Sequence, residues 1–168
     1  MDIRIISPTE AFESCYRQYI DELGEEERYP MPMDLSYQDF PALIQTLEEY
    51  KYGINLPDGL VPNSTYWLIC NNKLAGVANL RHNLNEQLSH AGGHIGIGIR
   101  PRFRGVGLGA LLLAYTVEKA HDKSIKPVMV HCYGDNAASV GMITACGGQL
   151  DSQIELDNKT VLRYAIFR

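Results

Sequence analysis

Apolar and polar positions alternate with two different periods along the 168-residue chain, and the changes of period mark its elements. Ile3 to Ser7 reads as a first strand, and Thr9 to Glu22 as a helix that lines up Phe12, Cys15, Tyr16 and Tyr19 on one face. A charged, proline-rich stretch follows. In it Glu25-Glu-Glu27 reads as a solvated surface, and Tyr29-Pro-Met-Pro-Met33 either covers the core or lines a pocket. Pro41 to Tyr50 predicts a second helix with proline in its first turn. Beyond the turn formers Pro57, Asp58 and Gly59, strands are expected at Thr65 to Cys70 and Leu74 to Arg81, joined by a hairpin at Asn71-Asn72-Lys73. His82 to His90 is a polar connection, either a substrate rim or a wet loop. Ile95 to Ile99 is a strand, Leu108 to His121 the central helix, and Val128 onward a strand, a polar turn and a helix that stops at Gly147-Gly148. Gln149 to Leu156 and Thr160 to Phe167 close the chain as two strands turning at Asp157-Asn158.

The most informative segment is Ile95-Gly-Ile-Gly-Ile-Arg-Pro-Arg-Phe-Arg-Gly-Val-Gly-Leu-Gly109. Ile95, Ile97 and Ile99 alternate with glycine, as expected of a strand with one packed face and one face open to close approach. Gly105, Gly107 and Gly109 then allow a tight turn into a helix whose unsatisfied N–H groups and positive dipole end favour an anion. Arg102 and Arg104 lie inside this turn, where they repel each other unless a polyanion or acidic side chains neutralise them. Gly105-Val-Gly-Leu-Gly-Ala110 lacks the Gly-Lys-Ser/Thr of a P-loop, and the glycine spacing does not fit a dinucleotide-binding turn.

Arg102-Phe-Arg-Gly-Val-Gly107 matches the Arg/Gln-x-x-Gly-x-Gly/Ala signature of the GCN5-related N-acetyltransferases, and the whole chain resembles that family. The resemblance implies an α/β (α+β) fold, with a mostly antiparallel sheet of about six to seven strands splayed between strands 4 and 5 and flanked by about four helices. It further implies a single domain over residues 1–168 that uses acetyl-CoA as co-substrate. By the same resemblance Ile97 and Ile99 offer backbone groups to the pantetheine arm, and Arg102, Phe103, Arg104, Gly105, Val106, Gly107, Leu108 and Gly109 hold the pyrophosphate. Asn136 and Ser139 reach coenzyme A from the next strand-to-helix turn, where Asn136 reads equally well as a plain N-cap. The phrases Arg81-His-Asn-Leu-Asn85, Gly92-Gly-His-Ile-Gly96 and Cys132 to Asn136 are similar to a bacterial subgroup of predicted acetyltransferases with no settled acceptor.

The chain departs from the family at Ile143, which occupies the position of the tyrosine that returns a proton to the coenzyme thiolate. Tyr133 is a substitute on paper, or none is needed, because a thiolate is a tolerable leaving group near neutral pH. An ammonium must lose its proton before attack, and His131, His94 and Glu86 are the candidate bases. His82, His90 and His94 lack the spacing of a metal site, so no metal is expected. The four cysteines have no CxxC spacing and are expected to be reduced.

A net charge of −5, with the arginines gathered at one loop, argues against a nucleic-acid surface, and acidic residues in the first half suit a cationic amine on a small molecule or peptide. The N-terminus lacks a signal-peptide pattern and no stretch is long enough to span a membrane, so a cytoplasmic protein is expected. The resemblance adds a possible homodimer through a sheet edge at Val161 to Phe167. A catalytically silent acyl-CoA-binding sensor or accessory protein is the alternative to an enzyme.

Overall fold

The computed structural model describes residues 1–168. In chain order its elements are β1 (Ile3–Ile6), α1 (Glu13–Leu23), α2 (Phe40–Lys51), β2 (Asn63–Cys70), β3 (Lys73–Arg81) and α3 (Glu86–His90). Then come β4 (Ile95–Ile99), α4 (Leu108–Asp122), β5 (Val128–Tyr133), α5 (Ala137–Ala145), β6 (Gln149–Leu156) and β7 (Lys159–Ile166). Local chemistry accounts for the boundaries. The Asp39 carboxylate accepts the Ala42 N–H at 3.2 Å, with Pro41 at the start of α2. Asn71-Asn72 and Asp157-Asn158 both take left-handed φ of 50° and 64°, the pair of conformations that a two-residue hairpin turn needs.

The strands form two antiparallel sheets, ordered β1-β2-β3-β4 and β5-β7-β6. They meet at the feet of β4 and β5, where Gly93 bridges Val130 and the His94 N–H donates to the Met129 carbonyl at 2.7 Å. Gly93 has φ of 67°, and a Cβ there would stand 2.6 Å from the Met129 carbonyl oxygen, so the seam requires glycine. Beyond that point no ladder joins β4 to β5 and the sheets diverge, as the resemblance implies. One core lies under α1 and α2, where Tyr16 stacks on Trp67 at 5.8 Å. Another lies under α4 and α5, around Leu80, Ile95, Leu113, Val130 and Ile143.

Three expectations change. The polar connection, read as a rim or wet loop, contains the short helix α3, because Asn85 Oδ1 accepts the Leu88 N–H at 2.9 Å, a capping signal without apolar periodicity. The first helix begins later, at Glu13, behind a 3₁₀ turn over Glu10–Phe12. The last strand is not a free edge, since β7 lies between β5 and β6 and leaves Gln149–Leu156 at the margin. Burial explains that order, because Val161, Tyr164, Ala165 and Ile166 of β7 are buried while no residue of β6 is. No helix is long and apolar enough to cross a membrane.

Candidate active site

Where the sheets part, a cleft of about 920 Å³ opens. Its near end is formed by Ile97, Gly98 and Ile99 of β4, by Phe103, Arg104, Gly105 and Gly107 of the loop, and by Leu108 and Gly109 of α4. Asn136 and Ser139 border the same end, and His131, Cys132 and Tyr133 of β5 form the opposite wall. Glu26, Glu27 and Tyr29, from the segment after α1, complete the lining, with Glu26 against Arg104 of the loop. Arg102, Val106, His94 and Glu86 stay outside the lining.

Gly105 and Gly107 have φ of 80° and 88°, and nothing lies within 4 Å of where a Cβ on either would stand. Both therefore bend the chain while leaving the space above it clear. Gly107 begins α4 without a side-chain cap, and the first backbone bond into the helix is Leu111 N–H to the Gly107 carbonyl at 3.3 Å. The N–H groups of Leu108, Gly109 and Ala110 thus form an unsatisfied helix start aimed at the cleft, a site suited to a pyrophosphate. Gly109 has a different task, since a Cβ there would stand 3.0 Å from Met142 Sδ and hold α4 off α5. On β4 the Arg100 N–H donates to the Ala75 carbonyl at 2.8 Å, so the even-numbered residues face β3. By the alternation of an antiparallel ladder, the N–H and C=O of Ile97 and Ile99 point away from β3 on the cleft side, where the Ile99 carbonyl accepts from Arg104 Nε at 2.9 Å.

The loop arginines find acidic side chains as partners. Glu22 Oε1 accepts from Arg102 Nε at 2.7 Å and Glu26 Oε1 accepts from Arg104 Nη1 at 2.9 Å. Arg102 is directed to α1 rather than to the cradle, and Val106 is 59 % exposed. Of the loop's backbone amides, the Arg102 N–H is taken by Glu22 Oε2 at 2.9 Å, while the Val106 side chain points away from the lining. The glycine face of β4 differs from expectation. A Cβ on Gly96 would stand 2.7 Å from Tyr29 Oη, and one on Gly98 would meet the Tyr29 carbonyl. The close approach that these glycines permit is made by the chain's own Tyr29-Pro30 segment. Pro32 and Met33 of that stretch are buried, so it both covers the core and lines the pocket.

The three candidate bases fare poorly on geometry. His131 Nδ1 accepts the Gly92 N–H at 3.0 Å, and His94 Nδ1 accepts the Met129 N–H at 2.9 Å. Each neutral ring therefore carries its proton on Nε2, by inference from the hydrogen-bond network, and has no lone pair left for a substrate. Burial, helped by Arg163, His94 and Arg81 and opposed by Asp151, lowers His131 to about 4, so the ring is neutral at pH 7. Burial and Arg81 lower His94 as well. Glu86 is exposed in the first turn of α3, away from the cleft. His82 pairs with Ser64 Oγ at 2.7 Å and His90 accepts Arg163 through its carbonyl, so the histidines of this region are dispersed among separate partners.

Asn136 Oδ1 accepts the Ser139 N–H at 3.1 Å, which makes it the N-cap of α5 as well as a lining residue. Ile143 is 1 % exposed within the core, so no hydroxyl stands at that position. Tyr133 borders the cleft on β5, with the Lys159 ammonium 4.7 Å from its ring centroid. Cys132 lies beside it, and burial pushes its thiol up, away from the thiolate form that a nucleophile needs. Two residues of the acidic run that the sequence reads as solvated surface also line the cleft. Glu27 is an exposed carboxylate at the mouth with no ion-pair partner, and Glu26 shares that mouth while paired to Arg104. Their sequence signal was negative charge in the first half of the chain, and nothing local places that loop against β4.

No curated protein matches the chain in sequence. Among solved structures, the acetyltransferase of GNAT family from Streptococcus pneumoniae superposes with a TM-score of 0.69 at 18% identity, over 99% of each chain. An acetyl transferase from Salmonella typhimurium that modifies the N-terminal serine of a ribosomal subunit protein gives 0.70 at 18% identity, over 99% of this chain and 95% of that one. A putative acetyltransferase from the same organism, solved with its cofactor acetyl-CoA, gives 0.67 at 14% identity, over 98% and 93%. At these identities the likeness is one of fold. Residues 15–147 match the model of the acetyltransferase (GNAT) family. Because that match runs from α1 to the end of α5 and takes in both walls of the cleft, the chain belongs to the acetyltransferase (GNAT) family.

Proposed function

We propose that the protein moves an acetyl group from acetyl-CoA to a primary amine of a small molecule or peptide, by direct attack of the amine. The observation that carries this reading is the open space over Gly105 and Gly107, continuous with a helix start and with the β4 edge at Ile97 and Ile99, where Arg104 Nε occupies the Ile99 carbonyl at 2.9 Å. Acetyl-CoA, when bound, supplies an activated thioester. The N–H groups of Leu108, Gly109 and Ala110 hold the pyrophosphate, and Ile97 and Ile99 pair with the pantetheine arm as a further strand would. The Ile97 N–H is also the donor best directed to the acetyl carbonyl, where negative charge develops during attack.

Glu27 offers an unpaired carboxylate in the same lining as Tyr29, and an acidic, aromatic wall attracts a cationic amine. With both histidines committed through Nδ1, the ammonium proton leaves through Glu27 or solvent, and the rate follows the neutral fraction of the amine. His131 serves as a neutral Nε2–H donor on the cleft wall. Tyr133 and Tyr29 are the exposed phenols that border the cleft in place of one at Ile143. That missing phenol favours the second reading, a silent acyl-CoA-binding protein. The net charge and the acidic mouth suit neither nucleic acid nor an anionic membrane surface, and a cytoplasmic location with a homodimer through β6 is compatible with this reading.

Calorimetric titration of acetyl-CoA, with thiol release measured over a panel of amines, tests both readings. Gly107→Glu sets a carboxylate over the helix start, at a φ that a side chain tolerates poorly. A loss of at least about 30-fold in acetyl-CoA affinity is expected from charge repulsion and the strained turn. Equal heats for both proteins would return the glycines to a purely structural role. Binding without amine-dependent thiol release would favour the silent protein.

A further inference from the structure

The turn between β4 and the glycine loop is short, and its side chains are cationic. Arg100, at its start, is 1 % exposed. Its Nη1 donates to the Leu74 carbonyl at 3.4 Å and its guanidinium lies 5.9 Å from the Phe103 ring centroid. Such a cation needs a counter-charge, since an unpaired buried charge is strongly destabilising. The counter-charge comes from α1, seventy-eight positions earlier: Glu22 Oε1 accepts from Arg100 Nε at 3.3 Å. The same carboxylate accepts twice from Arg102, through Nε at 2.7 Å on Oε1 and through the backbone N–H at 2.9 Å on Oε2. One side chain therefore grips the chain on both sides of Pro101. Directly beyond the grip, Phe103, Arg104 and Gly105 enter the cleft lining.

We infer that Glu22 is a positioning residue for acetyl-CoA: by holding Arg100 and the backbone of Arg102, it fixes the angle at which the glycine loop and the start of α4 meet the pyrophosphate. It touches no substrate. The inference rests on the acetyl-CoA reading above. Position matters because the cradle acts through backbone N–H groups, whose reach is set by the loop and not by flexible side chains. The grip is present at working pH. Burial opposes ionisation of Glu22, but the two bonds from Arg102 and the charges of both arginines outweigh it and hold the carboxyl below its usual range. The Arg104–Glu26 pair is a different case, nearly half exposed on both sides and worth little on its own.

The test compares wild type with Glu22→Gln and Arg102→Ala, with Asp21→Asn as a charge control on the exposed side of α1. Calorimetry with acetyl-CoA at several salt concentrations, melting curves and steady-state kinetics are recorded for each. Glu22→Gln keeps the size and an acceptor for the Arg102 N–H but loses the charge, and a Kd about tenfold weaker, with kcat at saturating acetyl-CoA within about twofold, is expected. Arg102→Ala leaves the Arg100 pair intact, and the expected result is a severalfold weaker Kd with the same salt dependence as wild type, since Arg102 is not itself a phosphate ligand. Asp21→Asn leaves Kd unchanged. A lower melting temperature with an unaltered Kd in Glu22→Gln overturns the inference, and if that variant does not fold, an unaltered Kd in Arg102→Ala does so. A shallower salt dependence in Arg102→Ala also overturns it, by making Arg102 a direct ligand. Failure of wild type to bind acetyl-CoA overturns the reading of the site and the role of Glu22 with it, whereas binding that both variants leave intact overturns that role alone.

Discussion

The ring of His131 shows how pattern can place a side chain while a distant contact sets its chemistry. Its strand was evident from Val128 to Tyr133, and the cleft wall is where it stands. What decides its role is the Gly92 N–H on Nδ1, a contact across 39 positions. A pKa lowered to about 4 in the folded protein, against an ordinary 6.5, means that the unfolded chain binds more protons between those values. Stability from this group is therefore complete above pH 6.5 and declines as pH falls toward 4. The expected loss between pH 7 and pH 5 is about 2 kcal/mol. His131→Asn keeps an acceptor for the Gly92 N–H and has no proton to gain, so urea melts across that range should show a shallower decline. Burial, with Lys123 and Lys51, likewise lowers His82 to about 4, which leaves a residual slope of the same sign. A rate profile with a limb near pH 6 to 7 that disappears in His131→Asn would restore the histidine as a base.

At the scale of elements, β4 is the best example of a pattern that was read correctly and explained incompletely. Ile-Gly-Ile-Gly-Ile announces a strand with one bare face, and Ile95 to Ile99 is that strand. The bare face serves the Tyr29-Pro30 segment, while the free backbone edge serves the cleft. Gly98→Val would drive side-chain carbons into the Tyr29 carbonyl and into Pro30 Cδ, 3.1 Å from the Cβ position. Destabilisation of about 2 to 3 kcal/mol is expected from overpacking, together with displacement of the Tyr29 ring from the cleft mouth. Denaturant melts and the Michaelis constant for the amine would register the two effects, and an unchanged amine constant would detach Tyr29 from the acceptor site. The short α3 and the order of the last two strands escaped the reading for related reasons. α3 is held by one capping bond and carries no apolar stripe, and a hairpin alone does not say which of its strands lies inside.

At the scale of the whole molecule, the cleft exists because two sheets share a seam at Gly93, His94, Met129 and Val130 and part above it. A ligand that contacts both walls binds the folded state only, so acetyl-CoA at about 100 times its Kd should add about 2.7 kcal/mol of stability. For a chain of this size that corresponds to a rise in Tm of about 5 to 10 °C. A thermal melt with no shift at saturating acetyl-CoA would oppose the cleft as its site.

The sequence by itself determined the local chemistry: the strand and helix periods, the Asn-Asn and Asp-Asn hairpins, the capped start of α5, and a glycine loop whose conformation depends on residues a few positions apart. Family membership was legible for the same reason, since Arg102 to Gly107 is a contiguous signature. Only the tertiary structure decided which charges meet. Glu22 reaches Arg100 and Arg102, Glu26 reaches Arg104, Glu27 stands unpaired at the mouth, and Gly92 and Met129 occupy the Nδ1 atoms of His131 and His94. Such pairings depend on distances between residues tens of positions apart, which chain folding sets and which no local period encodes.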